Sequence, residues 1–158
     1  FVVFDTETTG MPPGARLVEI GAIKVRGDQI VDRFQELVYP ELPIPPKTTE
    51  VHGLDDQTVA QSRTADEVVP DFLDWIGKLP LFGHNVAFDA SMLACECVRL
   101  GISPPENSTH CTLGAARSLL RRRGLRPRRV PQRTRELLPL EQELLNLLLL
   151  QLLLMRVL

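Results

Sequence analysis

The sequence predicts an α/β domain in which helices cover a mixed β-sheet. Two observations lead to this prediction: the first apolar segments are strands that pair as a hairpin, and the later strands alternate with helices. With 158 residues, 44% hydrophobic and 24% charged, the chain is long enough for one domain with its own core.

Three predicted strands open the chain. The apolar run in FVVFDTET is the first, and RLVEIGAIKV and QIVDRFQELVY follow as two strands joined by a turn at Gly27 and Asp28. The segment TTGMPPGA, after the first strand, is a loop by its Gly and Pro content. We therefore expect a hairpin beside the first strand.

The segment after the hairpin is predicted to be an irregular surface loop, because PELPIPPKTTEVHGLDD carries four prolines. A helix follows, since Thr64 and Glu67 have the spacing of a capping box. Gly77 and Pro80 end this helix near Lys78. Its core-facing positions are Val68, Val69, Phe72, Trp75 and Ile76.

Two further strand–helix pairs complete the predicted fold. PLFGHN is a short buried strand, and AFDASMLACECVRLGI is a helix that ends at Gly101. STHCTLGAARSLL is one more strand that leads into a helix. Because these strands alternate with helices, we expect them to join the hairpin in one mixed sheet.

The composition changes abruptly after Leu120. Residues 1–120 hold nine Lys and Arg against 17 Asp and Glu, a net charge of −8, whereas residues 121–158 hold nine Arg against three Glu, a net charge of +6. We therefore predict an acidic domain over 1–120 and an atypical Arg- and Leu-rich segment over 121–158. That segment is either aberrant, as a shifted reading frame in GC-rich coding sequence would make it, or a helix that completes the domain. Its leucine-rich run is shorter than the roughly 18 to 20 apolar residues of a membrane span, so we expect no membrane association.

Cysteine usage indicates a reducing compartment. Cys95, Cys97 and Cys111 fit neither a disulfide framework nor a zinc site. No charged and apolar leader precedes the first strand. We therefore expect a cytoplasmic protein.

The acids at the end of the first strand predict the chemistry. Asp5 and Glu7 are two residues apart, so a strand projects both side chains from one face. Two carboxylates at that distance repel each other unless a cation lies between them. Asp89, in the first turn of a later helix, can face them if the strand before that helix neighbours the first strand. Three converging carboxylates are the hard oxygen ligands that Mg²⁺ and Mn²⁺ prefer.

Five motifs occur in a familiar order, namely FDTETTG, VEIGAIKV, VHGLDD, GHNVAFDASML and CTLGAARSLL. Together they resemble the DnaQ-like 3′–5′ exonucleases, especially the proofreading epsilon subunit and the exonuclease domains of bacterial DNA polymerase III. The resemblance covers residues 1–120. It implies an RNase H-like fold, two divalent metal ions, and hydrolysis at the 3′ end of single-stranded DNA. Nucleoside 5′-monophosphates would be released, in proofreading or repair.

The resemblance also implies which residues form the site. Asp5, Glu7 and Asp89 would be catalytic, as the first three of four acids that hold the metal ions. The substrate-binding residues that it implies are Thr8, Thr9, Gly10, His52 and Phe88. A DNA polymerase subunit, or a fused polymerase or helicase domain, is the expected partner, because an acidic domain has modest DNA affinity of its own. The preference between DNA and RNA is left open.

The third motif of that family is missing. It consists of a histidine followed five residues later by an aspartate, which supply the general base and the fourth acid, and neither residue type occurs after Cys111. Loss of a general base costs about 10²- to 10⁴-fold in rate. One alternative is therefore a catalytically inactive module that binds DNA 3′ ends or a polymerase. Another alternative is a haloacid-dehalogenase-like phosphatase. The segment VVFDTETTG loosely resembles the strand of that family that ends in DxDGT, although Glu7 stands where that family has aspartate.

Four other polar residues are assigned structural roles or none. Glu19 is expected to have a structural partner beside its strand, and His84 and Asn85 are expected to bond across the strand-to-helix turn. His110 is not expected to replace the missing base, because nothing in the sequence aims it at the acids.

Overall fold

The computed structural model describes residues 1–27 and 29–113. Four of the predictions above lie outside these residues: the turn position Asp28, the body of the last helix, the boundary at Leu120 and the segment 121–158. In the described part the sheet has six strands in the order β4-β3-β2-β1-β5-β6. The strands are β1 (Val2–Thr8), β2 (Leu17–Arg26), β3 (Gln29–Tyr39), β4 (Arg63–Thr64), β5 (Leu81–Gly83) and β6 (Thr109–Cys111). The helices are α1 (Pro46–His52), α2 (Asp56–Val59), α3 (Ala65–Ile76) and α4 (Ala87–Arg99).

The sheet is mixed, as the sequence predicts. Strands β1, β2 and β3 are antiparallel neighbours, and β5 is parallel to β1. Strands β4 and β6 lie parallel to β3 and β5 at the two edges. The predicted hairpin of β2 and β3 is confirmed, with Gly27 after β2 in the left-handed region at φ 64° that glycine adopts readily.

The prediction of an irregular loop over PELPIPPKTTEVHGLDD is wrong in part. Helix α1 occupies its middle, with Pro46 as its first residue and Gly53 in a left-handed C-terminal cap. Proline is compatible with the first helical turn because the missing N–H would have no partner inside the helix. Four prolines therefore indicated a loop where one of them starts a helix.

The predicted helix after Thr64 is confirmed as α3. The carboxylate of Glu67 accepts a hydrogen bond from the backbone N–H of Thr64 at 3.2 Å, as in a capping box. Gly77 follows the last helical residue, as expected. Four of the five predicted core positions are buried, whereas Trp75 is partly buried and packs against the same core.

The two faces of the sheet are set by the alternation of side chains along β1. Val2 and Phe4 point into the main core, where α3 and α4 pack. Val3 points to the opposite face and belongs to a smaller cluster with Ile23 and Val25. By the same alternation, Asp5 and Glu7 lie on the face of Val3, and Thr6 lies on the face of the helices.

The end of β5 opens one edge of β1. Only Val2 and Val3 of β1 pair with β5, whose last residue is Gly83. The chain then turns through residues 84–86 into α4, so that the first turn of this helix lies beside the unpaired part of β1. A close approach makes this turn possible, because a Cβ at Gly83 would lie 3.0 Å from the carbonyl oxygen of Phe4.

Two further findings concern membrane-spanning helices and the cysteines. No helix in the described ranges is both long and apolar enough to cross a membrane. The three cysteines are free thiols, with Cys97 buried, Cys95 partly buried and Cys111 exposed.

Candidate active site

Asp5 and Glu7 project from the same face of β1, as predicted. Their cross-strand partners on β2 are Gly21 and Glu19, so that Glu7 stands directly opposite another acid. The pairing of β1 with β2 shifts register between Glu7 and Thr8, and such an irregularity re-aims the side chains at a strand end. Glu19 is buried and accepts a hydrogen bond from Gln35 at 3.3 Å, which confirms its expected structural partner.

Asp89 is brought to β1 by hydrogen bonds to Thr6, the residue between the two acids. Its Oδ1 accepts from the Thr6 backbone N at 2.9 Å and from the Thr6 hydroxyl at 2.7 Å. The carboxylate thus pairs with a backbone N–H at the edge of β1 that β5 leaves open. Because Asp89 is buried and accepts two hydrogen bonds, its position relative to Asp5 and Glu7 is fixed by the fold.

Burial and mutual repulsion raise the pKa of each of these acids. Burial raises the pKa of Glu7 to about 7, and the charges of Asp5, Glu19 and Asp89 add to the effect. Burial also raises the pKa of Asp5, together with the charge of Glu19. The pKa of Asp89 is raised by burial and by Asp5, and its two bonds from Thr6 act in the opposite direction. Such a set of acids favours a cation between them.

The chemical type of these side chains fits a divalent metal ion. Carboxylate oxygens are the preferred ligands of Mg²⁺ and Mn²⁺. Within residues 1–27 and 29–113, however, no three His, Cys, Asp or Glu side chains already form a set that could hold a metal ion. Asp5, Glu7 and Asp89 are electrostatic neighbours, because the charges of Asp5 and Asp89 raise the pKa of Glu7 and the charge of Asp5 raises the pKa of Asp89.

The residues after β1 form an ordered loop beside these acids. The Thr8 hydroxyl donates to the carbonyl of Gly10 at 2.7 Å. The Thr9 hydroxyl accepts from the backbone N of Arg16 at 2.9 Å, and the Thr9 backbone N donates to the Arg16 carbonyl at 2.9 Å. Hydrogen bonds thus hold together the three predicted nucleotide-binding positions, namely Thr8 at the end of β1 and Thr9 and Gly10 after it. We refer to this stretch as the Thr8–Gly10 loop.

His52 lies beside the same loop. Its Nδ1 accepts from the backbone N of Leu54 at 3.0 Å, which places the imidazole proton on Nε2. Nε2 is buried and makes no hydrogen bond of ordinary geometry within the described ranges. Burial lowers the pKa of His52, although the nearby backbone of Thr8 acts against this effect. A buried N–H donor therefore stands next to Thr8.

Phe88, the residue before Asp89, packs partly buried against the main core. The carbonyl of Asn85 accepts from the Phe88 backbone N at 2.9 Å, so the backbone of Asn85 bonds within the strand-to-helix turn. His84 lies with Nδ1 3.5 Å from the Thr112 hydroxyl, which is not part of that turn. His110 on β6 stacks on Phe82 of β5, with 4.6 Å between the ring centroids.

Two participants of the site are not among the predicted site residues. Thr6 holds Asp89, and Glu19 adds its charge to those of Asp5 and Glu7. The position of Glu19 opposite Glu7 depends on the register of β1 with β2, which a strand pattern alone does not give. The bond between Thr6 and Asp89 spans 83 positions of sequence, and no local motif contains both residues.

The family comparison identifies the family of the chain. The model of the Exonuclease family named RNase_T matches residues 2–143, and the chain belongs to this family. The recognition of an exonuclease from its motifs is confirmed. Family membership supports the nuclease and gives no support to the phosphatase alternative.

Two relatives are DNA polymerases of the PolC type. The chain is 38% identical over 120 residues to a DNA polymerase III PolC-type of Caldanaerobacter subterraneus, which covers 75% of this chain and 8% of the relative. It is 36% identical over 124 residues to the corresponding protein of Thermotoga maritima, covering 78% of this chain and 9% of that protein. The chain therefore spans less than a tenth of the length of these relatives.

Solved structures show the same fold. A structure of Exonuclease X in complex with 5′ overhanging duplex DNA has a TM-score of 0.58 and 25% identity, covering 82% of this chain and 76% of that one. E. coli Exonuclease I in complex with a dT13 oligonucleotide has a TM-score of 0.69 and 19% identity, covering 80% of this chain and 31% of that one. The α/β, RNase H-like fold is confirmed.

Proposed function

We propose that this exonuclease-family chain is a metal-dependent 3′–5′ exonuclease domain. It shortens single-stranded DNA from its 3′ end and releases nucleoside 5′-monophosphates, in proofreading or repair. The observation that carries the proposal is the placement of Asp89 by Thr6 beside Asp5 and Glu7. The buried Asp89 and the partly buried Asp5 and Glu7, whose pKa values are raised together, form a centre suited to cations and to a phosphodiester.

Asp5, Glu7 and Asp89 would hold Mg²⁺ or Mn²⁺, with two ions expected. The ions would neutralise the phosphodiester and make a water molecule nucleophilic at neutral pH. The chain's own part is to keep the acids rigid: Asp89 by its two bonds to Thr6, and Asp5 and Glu7 by the pairing of β1 with β2. Hydrolysis by water requires no covalent enzyme intermediate.

The loop after β1 is the proposed binding site of the terminal nucleotide. Thr8, Thr9 and Gly10 follow Glu7 directly, and the buried Nε2–H of His52 is a donor beside Thr8. Phe88 precedes Asp89 and offers an aromatic ring at the start of α4. Stacking on aromatic rings is a common way in which proteins hold single-stranded bases.

The polymerase relatives support a partner of the same kind. Because the chain covers only 8% of its PolC-type relative, we propose that it acts with, or fused to, a polymerase or helicase domain. Such a role would place it in the cytoplasm. Both DNA and RNA stay open as substrates, since contacts to a 2′-hydroxyl decide between them.

The test is the shortening of a 5′-labelled single-stranded oligonucleotide in Mn²⁺ and in Mg²⁺. A 3′–5′ exonuclease yields a ladder of shorter labelled strands, whereas the opposite polarity releases a labelled mononucleotide at once. We expect Asp5→Ala to lower the rate about a hundredfold or more, because it removes an acid from the centre. Asp74→Asn, which changes an exposed acid on α3, is the matched control and should act as wild type. Equal rates for wild type and Asp5→Ala would contradict the proposal.

A second candidate function follows from the missing third motif. With no histidine or aspartate after Cys111, a module that binds DNA 3′ ends or a polymerase without cleaving is the alternative. Binding of the same oligonucleotide with no shortening in either metal would favour it.

The same assay with an RNA strand in place of DNA shows which of the two nucleic acids is the substrate.

We also propose residues 1–120 as the exonuclease-like unit, with residues 121–158 either aberrant or completing it. The family match runs to residue 143, which supports completion. The coding sequence, translated in its other frames, tests the aberrant form. A histidine five residues before an aspartate should then appear after the position of Leu120, and its absence would contradict a shifted frame.

A further inference from the structure

A buried charge cluster lies on α4, away from the acids of the site. Glu96 is 0% exposed, and its Oε1 accepts from Arg16 Nε at 3.1 Å and from the Leu17 backbone N at 3.1 Å. Its Oε2 accepts no hydrogen bond of ordinary geometry in the described ranges but pairs with the guanidinium of Arg99. Burying a charged carboxylate costs free energy of desolvation unless cations pair with it. The two arginines therefore offset the cost of burying Glu96.

Both arginines also hold the loop between β1 and β2. Arg99 donates from Nη2 to the carbonyl of Ala15 at 3.3 Å. The backbone of Arg16 exchanges two hydrogen bonds with Thr9, each 2.9 Å long. The side chain of Arg16 reaches Glu41 as well, at 2.9 Å on the exposed side. Glu96 is thus the one buried anion shared by these two arginines among the described residues.

The cluster connects the two halves of the candidate site. Helix α4 carries Phe88 and Asp89 in its first turn and Glu96 about two turns later. Hydrogen bonds to Glu96 join this helix to residues 15–17. Within that segment, the backbone of Arg16 is hydrogen-bonded to Thr9. The loop that would hold the nucleotide and the helix that holds an acid of the centre therefore share one rigid connection.

We infer that Glu96 is a positioning residue, which keeps the Thr8–Gly10 loop aligned with the start of α4 for binding the terminal nucleotide. This inference rests on the proposed function for the identity of the bound group. A buried charge that served only to stabilise the fold would change the melting temperature without loosening the loop in particular. A buried charge that positions the loop changes its opening and the binding of substrate.

The test is Glu96→Gln, with Glu41→Gln as the matched control. Glu41→Gln removes an ion pair from the same Arg16 but leaves the connection to α4 intact. A second control, Ile23→Val, weakens the smaller cluster on the other face of the sheet. The readouts are amide hydrogen exchange at Thr9 and Arg16, and kcat and KM for oligonucleotide shortening in Mn²⁺.

In Glu96→Gln we expect exchange at Thr9 and Arg16 to speed up about tenfold relative to Glu41→Gln and Ile23→Val. We expect KM to rise about tenfold with a smaller change in kcat, because misplacement of a binding loop weakens binding before chemistry. Unchanged exchange at both amides, or a change no larger than in the controls, would overturn the inference. So would a fall in kcat with KM unchanged.

Two outcomes separate this inference from the proposed function. If the wild-type chain does not shorten DNA, the proposed function fails, and the exchange measurement still decides whether Glu96 holds the loop. If Glu96→Gln does not fold, Arg99→Gln takes its place, because Arg99 is partly exposed and its loss cuts the contact to Ala15. Wild-type exchange in Arg99→Gln would then overturn the inference.

Discussion

At the scale of single residues, the site depends on Thr6 more than its sequence position suggests. The acids on either side of it point to one face of the sheet, and Thr6 points to the other, toward α4. Its hydroxyl and backbone N both donate to Asp89, so a neutral residue decides where a charged one stands. If Asp89 holds a metal ion, as proposed, Thr6 should matter nearly as much as Asp89, because residues that orient a metal ligand commonly do.

Thr6→Val tests that role. The substitution keeps the backbone bond to Asp89 and the branched shape but removes the hydroxyl donor at 2.7 Å. We expect activity to fall about 10- to 100-fold, because Asp89 loses one of its two restraints. Thr6→Ser, which retains the hydroxyl, should stay close to wild type. An oligonucleotide-shortening assay measures the rates, and equal activity of Thr6→Val and wild type would contradict the prediction.

At the scale of elements, Asp89 can reach β1 because β5 is shorter than β1. Strand β5 pairs only with Val2 and Val3, so the later part of β1 is open to α4. The chain makes room for this by a close contact between β5 and β1 at Gly83, and by the left-handed residue Asn85 at φ 60°. Asparagine tolerates that conformation better than most residues.

Gly83→Ala tests this packing. A Cβ there would lie 3.0 Å from the Phe4 carbonyl oxygen and 3.1 Å from Val86 Cγ2, so β5 and the start of α4 must shift. We expect a loss of about 1–3 kcal/mol in the free energy of unfolding, measured by urea denaturation, and a lower nuclease activity. Gly14→Ala is the control, since a Cβ at Gly14 meets nothing within 4 Å. Equal stability of the two variants would contradict the expected contact.

At the scale of the whole molecule, the acids of the site oppose folding when no cation is bound. The folded-state pKa of Glu7 is about 7 against an ordinary 4.5, so the native state binds more protons than the unfolded state between these pH values. Stability contributed by protonated Glu7 is present below about pH 4.5 and is lost as the pH rises through about 7. The raised pKa values of Asp5 and Asp89 act in the same direction.

We therefore expect the metal-free chain to lose stability between pH 5 and pH 7.5. The fall should reach about 1.4 kcal/mol or more, the equivalent of one pKa unit, by urea denaturation in EDTA. Mn²⁺ at pH 7.5 should restore stability, because an ion between the acids favours their charged forms. Glu7→Gln should flatten the pH dependence, since an amide does not titrate in this range. A stability that rises from pH 5 to 7.5 in wild type but not in Glu7→Gln would contradict the expectation.

The sequence by itself determined most of the fold and the acids of the site. Strong local signals are enough for that: the apolar run of β1, the two strands around Gly27 and the capping-box spacing at Thr64 each lie within a short stretch of neighbouring residues. The same holds for Asp5 and Glu7, whose shared face follows from the period of a strand. The short helix α1 was not predicted, because proline occurs both in loops and at the first position of helices, and the sequence alone does not distinguish the two.

Only the tertiary structure decided how distant residues meet. Thr6 with Asp89, Glu19 opposite Glu7, and Glu96 with Arg16 are contacts between elements far apart in the chain, the first of them across 83 positions. Strand register and the length of β5 select these pairs, and both depend on how the whole sheet packs against α3 and α4. The residue types were in the sequence, but their distances come from the cooperative packing of elements that no short window contains.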